Sequence, residues 1–206
     1  MAKVHPGATL TPEFRWFVPR WMARQPWYAG DATPELRPVG FFRFEDPDGE
    51  VGIETHVLAD GNAIYQIPMT YRSAPLPGVA EAALISVSEH SVLGTRWIYD
   101  ATADPVWRAA LLRLIRSGGC SDPSMKKGAI GPVTARGQLL AAAGFDDELA
   151  VIDLRRMLTG NDPEDLAGSV GADAAGVVHG TWRTSPEAAP LTGILAIVHA
   201  GWAHDS

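Results

Sequence analysis

The chain has 206 residues, a net charge of −7 and a mean hydropathy of −0.01. A chain of this length buries roughly 70% of its unfolded surface, so it needs neither metal nor disulfide to fold, and its single cysteine, Cys120, excludes an intramolecular disulfide. Acids outnumber bases 12 to 8 in residues 1–103 and 12 to 9 in 104–206, which excludes the basic surface that non-specific binding to nucleic acid or anionic membrane requires.

The first residues, MAKVHPG, carry no apolar core of a secretory signal, and the most apolar run, 191–203, is too short to span a bilayer. The expected location is cytoplasmic, with no membrane partner. Twenty-one glycines and 16 prolines predict many turns and modest helix content.

In chain order, Thr11-Pro12-Glu13 reads as a helix start, a hydroxyl cap followed by proline at the first helical position. Phe14, Phe17, Val18 and Trp21 follow at i, i+3, i+4 and i+7, one apolar face. Pro19 is expected to end or kink this helix near Val18. Three strand signals come next, at 38–46, 49–60 and 62–72, separated by Pro-Asp-Gly and Asp-Gly-Asn turns. Val51, Ile53, Thr55 and Val57 share one face; so do Tyr65, Ile67, Met69 and Tyr71. This alternation with short turns predicts an antiparallel meander, and Pro68 inside the third strand predicts an edge or a bulge there.

A weaker strand at 83–95 and a stronger one at 96–102 precede the clearest helix, which starts at Asp104-Pro105 and stops at Gly118-Gly119. Residues 120–137 read as a Gly/Pro/Lys loop. ARGQLLAAAG, 135–144, reads as a short helix, and the first half of 148–158 as a strand. Asn161-Asp162-Pro163-Glu164 starts a further short helix to about Gly168, and 176–183 with 191–198 form a hairpin. Strands in antiparallel runs with helices outside the series give an α+β fold. No dinucleotide or Walker phosphate loop is present.

The stretch 14–30, FRWFVPRWMARQPWYAG, holds three of the seven tryptophans and three arginines with no acid. Trp16, Trp21 and Trp27 could stack on a sugar, but they read as core filling, with Trp27, beside a turn, the one expected to reach solvent. Tyr99, Asp100 and Asp104 could form an acid cluster. Asp104 reads instead as a helix N-cap, and Asp100 as a structural carboxylate paired with Arg24 or Arg96. Cys120 reads as a free thiol in a loop. The six histidines show no metal-ligand spacing, and Lys126-Lys127-Gly128 reads as a solvated loop rather than a phosphate nest. No catalytic residue, metal or cofactor is assigned.

Three segments carry a family resemblance. RQPWYAG (24–30) resembles the R-Q-R-W-F-[AG]-G-K element of bacterial maltokinases, YQIPMTYR (65–72) their Y-x-[VIL]-P-[LM] strand, and WIYDATADP (97–105) their L-Y-D-A-x-x-D-P segment. Order and spacing agree over residues 10–118. The resemblance is to the maltokinase N-terminal cap domain. It implies a curved antiparallel sheet packed on an N-terminal helix, cystatin-like, over 10–118. Residues 119–206, where the match fades, read as a smaller C-terminal α+β extension with short helices and a β-hairpin, packed on the same core. Pro26 and Asp31 replace two basic residues of the family pattern. The phosphotransferase lobe needs a nucleotide-gripping lysine, a catalytic aspartate and a metal-binding aspartate, and the sequence has no such set, so no kinase activity is expected.

The resemblance implies a stand-alone cap-like module that binds or regulates a partner in maltose/α-glucan or amino-sugar phosphate metabolism, such as a sugar kinase or a glucan enzyme. Self-association into a homo-oligomer is a further expectation. The residues singled out for binding are Arg20, Arg24, Trp27, Tyr28, Tyr99 and Asp100. The alternative is a small carbohydrate-binding protein or carbohydrate-active enzyme with a cleft near Trp27 and Asp100.

Overall fold

The computed structural model describes residues 7–124, 129–141, 144–160 and 170–201. The expected helix at 161–168 and the Lys126-Lys127-Gly128 segment lie outside the described residues. The elements, in order, are β1 (Leu10–Thr11), α1 (Phe14–Met22), β2 (Arg37–Phe44), β3 (Gly52–Asp60), β4 (Ala63–Arg72), β5 (Leu84–His90), β6 (Gly94–Asp100), α2 (Pro105–Ser117), β7 (Asp122–Ser124), β8 (Thr134–Leu139), β9 (Val151–Leu154), β10 (Met157–Leu158), β11 (Ala174–Trp182) and β12 (Leu191–His199). The fold is α+β: a strongly curled antiparallel sheet, an N-terminal helix against it, and a second, smaller sheet.

The large sheet runs β1-β5-β6-β4-β3-β2-β7, with β10 added to β4; the small one runs β8-β11-β12-β9. The meander forms as expected, with Ile53↔Thr70 and Leu58↔Tyr65 in register. Its turns have physical causes. Gly61 sits at φ 56°, where a side chain would be strained. The Asp46 carboxylate accepts the N–H groups of Asp48, Glu50 and Val51 and so folds the β2–β3 turn.

The large sheet is buried on both faces. On one face Leu58, Tyr65, Ile67, Met69 and Ile98 pack against Phe17, Val18, Trp21 and Met22 of α1. On the other, Phe42, Ile53, Val57 and Ile64 pack with Trp107, Leu111 and Ile115 of α2 and with Val178, Trp182 and Leu195 of the small sheet. The central sheet is thus a middle layer, and residues of the C-terminal half complete its second core.

Several expectations are corrected. Helix α1 begins at Phe14 with Glu13 at the N-cap and no side-chain cap, because Thr11 pairs with Glu89 as a strand residue. The helix also continues through Pro19 to Met22. An interior proline costs about 3 kcal/mol. Burying Phe17, Val18, Trp21 and Met22, each at most 2% exposed, contributes about 1.5–3 kcal/mol apiece, so packing wins. Residues 134–139 form strand β8, not a helix, paired to β11 with Gly137↔Val178. The reason is close approach: a Cβ on Gly137 would lie 2.2 Å from the Leu114 carbonyl oxygen, so the backbone of α2 rests directly on this strand. Residues 120–137 contain strand β7 and the start of β8. Strand β4 has neighbours on both sides, yet at Pro68 the side facing β6 and β10 is open, so the expected edge is present locally. Strand β4 pairs with β6 over Met69–Arg72 and with β10 over Ile64 and Tyr65. Pro68 stands at the fork between them, where no ladder N–H is required.

Candidate functional site

Helix α1 exposes a narrow basic face. Its apolar positions turn inward, which leaves Trp16 on the opposite side, 53% exposed. Arg20 lies over the Trp16 ring at 4.4 Å and donates Nη1 to the Trp16 carbonyl at 2.7 Å. This cation–π pair holds an extended arginine flat on the surface. Arg15 is exposed and paired with Glu13 at 2.7 Å. Arg24 is exposed just past the helix, its backbone N–H bonded to the Trp21 carbonyl. Arg20 and Arg24 are thus both exposed at the C-terminal end of α1. The tryptophan that accompanies them is Trp16, which corrects its reading as core filling: Phe14, Phe17, Val18 and Trp21 take the inward positions and leave it outside.

Trp27 and Tyr28 turn toward the sheet. Trp27 packs against Trp21 and Tyr65 with ring centroids 5.7 and 6.2 Å away. Tyr28 packs on Tyr65 at 5.8 Å and donates its hydroxyl to Asp60 Oδ2 at 2.7 Å. Burial, then the Asp60 hydrogen bond, pushes the Tyr28 phenol up to about 12. Gly30 is the residue that allows this, since a Cβ there would lie 2.2 Å from the Tyr28 hydroxyl.

Beside this pair, α1 and the segment 28–38 enclose an open groove of about 1080 Å³. Phe14, Tyr28, Leu36 and Leu58 line it, with Arg15 and Asp31 also on its wall.

Tyr99 and Asp100, neighbours in sequence, point to opposite faces of β6, as strand geometry requires. Tyr99 pairs across from Thr70, and its hydroxyl accepts the Leu76 N–H at 3.0 Å. Asp100 sits across from Met69 on the α1 side. Its partner is neither Arg24 nor Arg96, the two expected. It is Arg156, whose Nη2 donates to Asp100 Oδ2 at 2.5 Å, while the Thr102 N–H donates to Oδ1 at 3.3 Å. The same guanidinium lies 4.9 Å over the Trp27 ring. One arginine thus engages both groups that a sugar cleft near Trp27 and Asp100 would use. Asp104 caps α2 through the Val106 N–H at 2.9 Å, as expected. It also takes a bidentate pair from Arg72, both distances 2.7 Å. Burial acts to raise this carboxyl, but hydrogen bonds led by Arg72 outweigh it and hold Asp104 below the ordinary aspartate range.

Residues 21–104 match the family model of the maltokinase N-terminal cap domain. The cap-like segment thus runs from Trp21, in the last turn of α1, to Asp104 at the N-cap of α2. It contains Arg24, Trp27, Tyr28, Tyr99 and Asp100; Arg20 and Trp16 lie just outside it, and Arg156 lies far beyond it.

Sequence reading missed a buried polar cluster in the cap-like segment. Arg43 donates to Glu54, His56 Nε2 lies 3.1 Å from Glu54 Oε2, and the His56 ring packs between Phe14 and Phe41 at 4.4 and 5.3 Å. Burial, then Glu54, raises the Tyr71 phenol well above its ordinary value. Glu54 and His56 alternate with Ile53 and Val57, which in sequence signals a solvent face rather than an interior one. Among the described residues no group of His, Cys, Asp and Glu is arranged to hold a metal ion, and no described helix is long and apolar enough to cross a membrane. Cys120 is exposed and unpaired.

Proposed function

We propose that this chain is a non-catalytic cap-like module that binds or regulates a partner enzyme of maltose/α-glucan or amino-sugar phosphate metabolism. The observation that carries the reading is the match of residues 21–104 to the maltokinase cap family. Its chemistry supports it. The carboxylates first suspected of acid–base work are each committed to an arginine and a backbone N–H: Asp100 to Arg156 and Thr102, Asp104 to Arg72 and Val106. A carboxylate whose oxygens are taken by an arginine and a backbone N–H is not placed to pass a proton to a substrate.

The contact face is the Trp16–Arg20 pair with Arg24 and the adjoining groove. Aromatic and arginine side chains with pre-set geometry are the common anchors of protein interfaces, and Arg20 is already ordered by Trp16. The test is a titration of the full chain against purified sugar kinases and glucan enzymes from its own cell, followed by calorimetry. Binding that weakens at least tenfold in a Trp16→Ala, Arg20→Glu variant supports the reading, since interface anchors carry about 2 kcal/mol or more. Binding unaffected by that pair moves the interface elsewhere, and a flat titration with every such enzyme overturns the proposal.

A further inference from the structure

The fork in the large sheet is filled by a short piece of the C-terminal half. Strand β4 loses β6 as a neighbour below Met69, and β10 takes the vacated edge, Met157 opposite Tyr65 and Leu158 opposite Ile64. The Gln66 N–H donates to the Arg156 carbonyl at 2.9 Å. The Gln66 side chain, 1% exposed, sends both Nε2 hydrogens to the C-terminal half, to Arg155 O at 2.7 Å and Leu195 O at 2.6 Å. The Arg155 N–H in turn donates to Leu195 O at 2.9 Å. On the opposite face of the sheet, the Arg156 guanidinium reaches Asp100, Thr102 and the Trp27 ring. Four residues, 155–158, thus connect β4, the end of β6, the Trp27 loop and β12.

We infer that residues 155–158 are a built-in strap. They complete the cap-like sheet at its fork and set the position of Trp27, so the segment matched by the family model and the C-terminal half form one cooperative unit. This inference does not depend on the proposed partner.

The physical reason is accounting of buried polar groups. With the strap away, Gln66 would keep a buried amide and a backbone N–H without acceptors, and Asp100 would keep a buried carboxylate without its cation, each of which is costly. Nothing in the cap-like segment substitutes for these groups, because Pro68 and the departure of the chain after Asp100 leave the β4 edge open. Arg156 is therefore a positioning residue for Trp27, acting from outside the matched segment.

The test uses the full chain and amide hydrogen exchange in mild urea, read by mass spectrometry. In the unmodified protein, peptides from β3–β4 and from β11–β12 are expected to open together with the same protection. Arg156→Met should accelerate exchange in both sets by about tenfold and red-shift the tryptophan emission, while Arg113→Met, on the exposed side of α2, should leave both unchanged. Gln66→Ala should act like Arg156→Met but more strongly; should it fail to fold, the unmodified chain and Arg156→Met still decide. Two separate urea transitions, or faster exchange confined to β11–β12 in Arg156→Met with β3–β4 unmoved, would overturn the strap.

Discussion

The two faces of the large sheet are built from different materials and closed by different means. One face carries Tyr65, His56, Glu54 and Met69 and is covered by a nine-residue helix. The other carries Ile53, Val57 and Ile64 and is covered by α2 and a whole second sheet. A short helix cannot roof a wide curled sheet, so the first face keeps a groove, a buried polar cluster and aromatic side chains with polar tips. The second face is sealed with aliphatic and aromatic groups, Trp107 and Trp182 among them. The proposed contact face lies on the incompletely covered side, and stability belongs to both.

Breaking each cover should separate these roles. The largest losses come from the cores. Trp21→Ala on the α1 side and Ile115→Ala on the other are expected to cost about 3–5 and 2–5 kcal/mol respectively in urea unfolding. Equal loss of helical and sheet signals in both variants would mark one cooperative structure. A transition confined to α1 in Trp21→Ala would instead make that helix a separable cover. Next, Asp104→Ala leaves Arg72 without its bidentate partner and removes the cap of α2, for about 3 kcal/mol. Since folding holds the Asp104 carboxyl low, its stabilisation is complete above the unfolded aspartate value and is lost as pH falls through the lowered one. Acid unfolding of the variant should accordingly be flatter than that of the parent.

Tyr28→Phe removes one hydrogen bond, for about 1 kcal/mol. The raised phenol also predicts an alkaline signature: with a folded value near 12 against 10 unfolded, stability is full below pH 10 and declines toward pH 12. Absorbance titration of the phenolate with a parallel unfolding series checks this, and the component should vanish in Tyr28→Phe. Smallest is Trp16→Ala, expected to change stability by no more than about 0.5 kcal/mol, measured by thermal unfolding, because the ring is half in water. A larger loss there would mean that the Trp16–Arg20 pair supports the fold rather than a partner.

Local signals of the meander and of α2 were legible in the chain. Alternation with Asp-Gly turns specifies a hairpin within a few residues, and Asp104-Pro105 with Gly118 marks both ends of α2. The exposure of Trp16, read as core filling, was not. Strand β8 was not, because Ala135, Gly137 and Gln138 carry no apolar contrast. Its identity comes from pairing with β11 and from the close approach of α2. Nor was the inward turn of Glu54 and His56, since alternation separates two faces and does not say whether the second meets water or α1.

The sequence by itself therefore determined what depends on near neighbours: the antiparallel meander, the capped helix, the amphipathic sense of α1 and the family motif from Arg24 to Gly30. Only the tertiary structure decided what depends on distant segments meeting. It chose Arg156 over Arg24 and Arg96 for Asp100, placed β10 at the fork beside Pro68, and buried a sheet on both faces. The physical reason is that a charge pair or a strand edge is satisfied by whichever group the folded chain brings within reach. Many arginines could serve Asp100 on paper, and packing brings one.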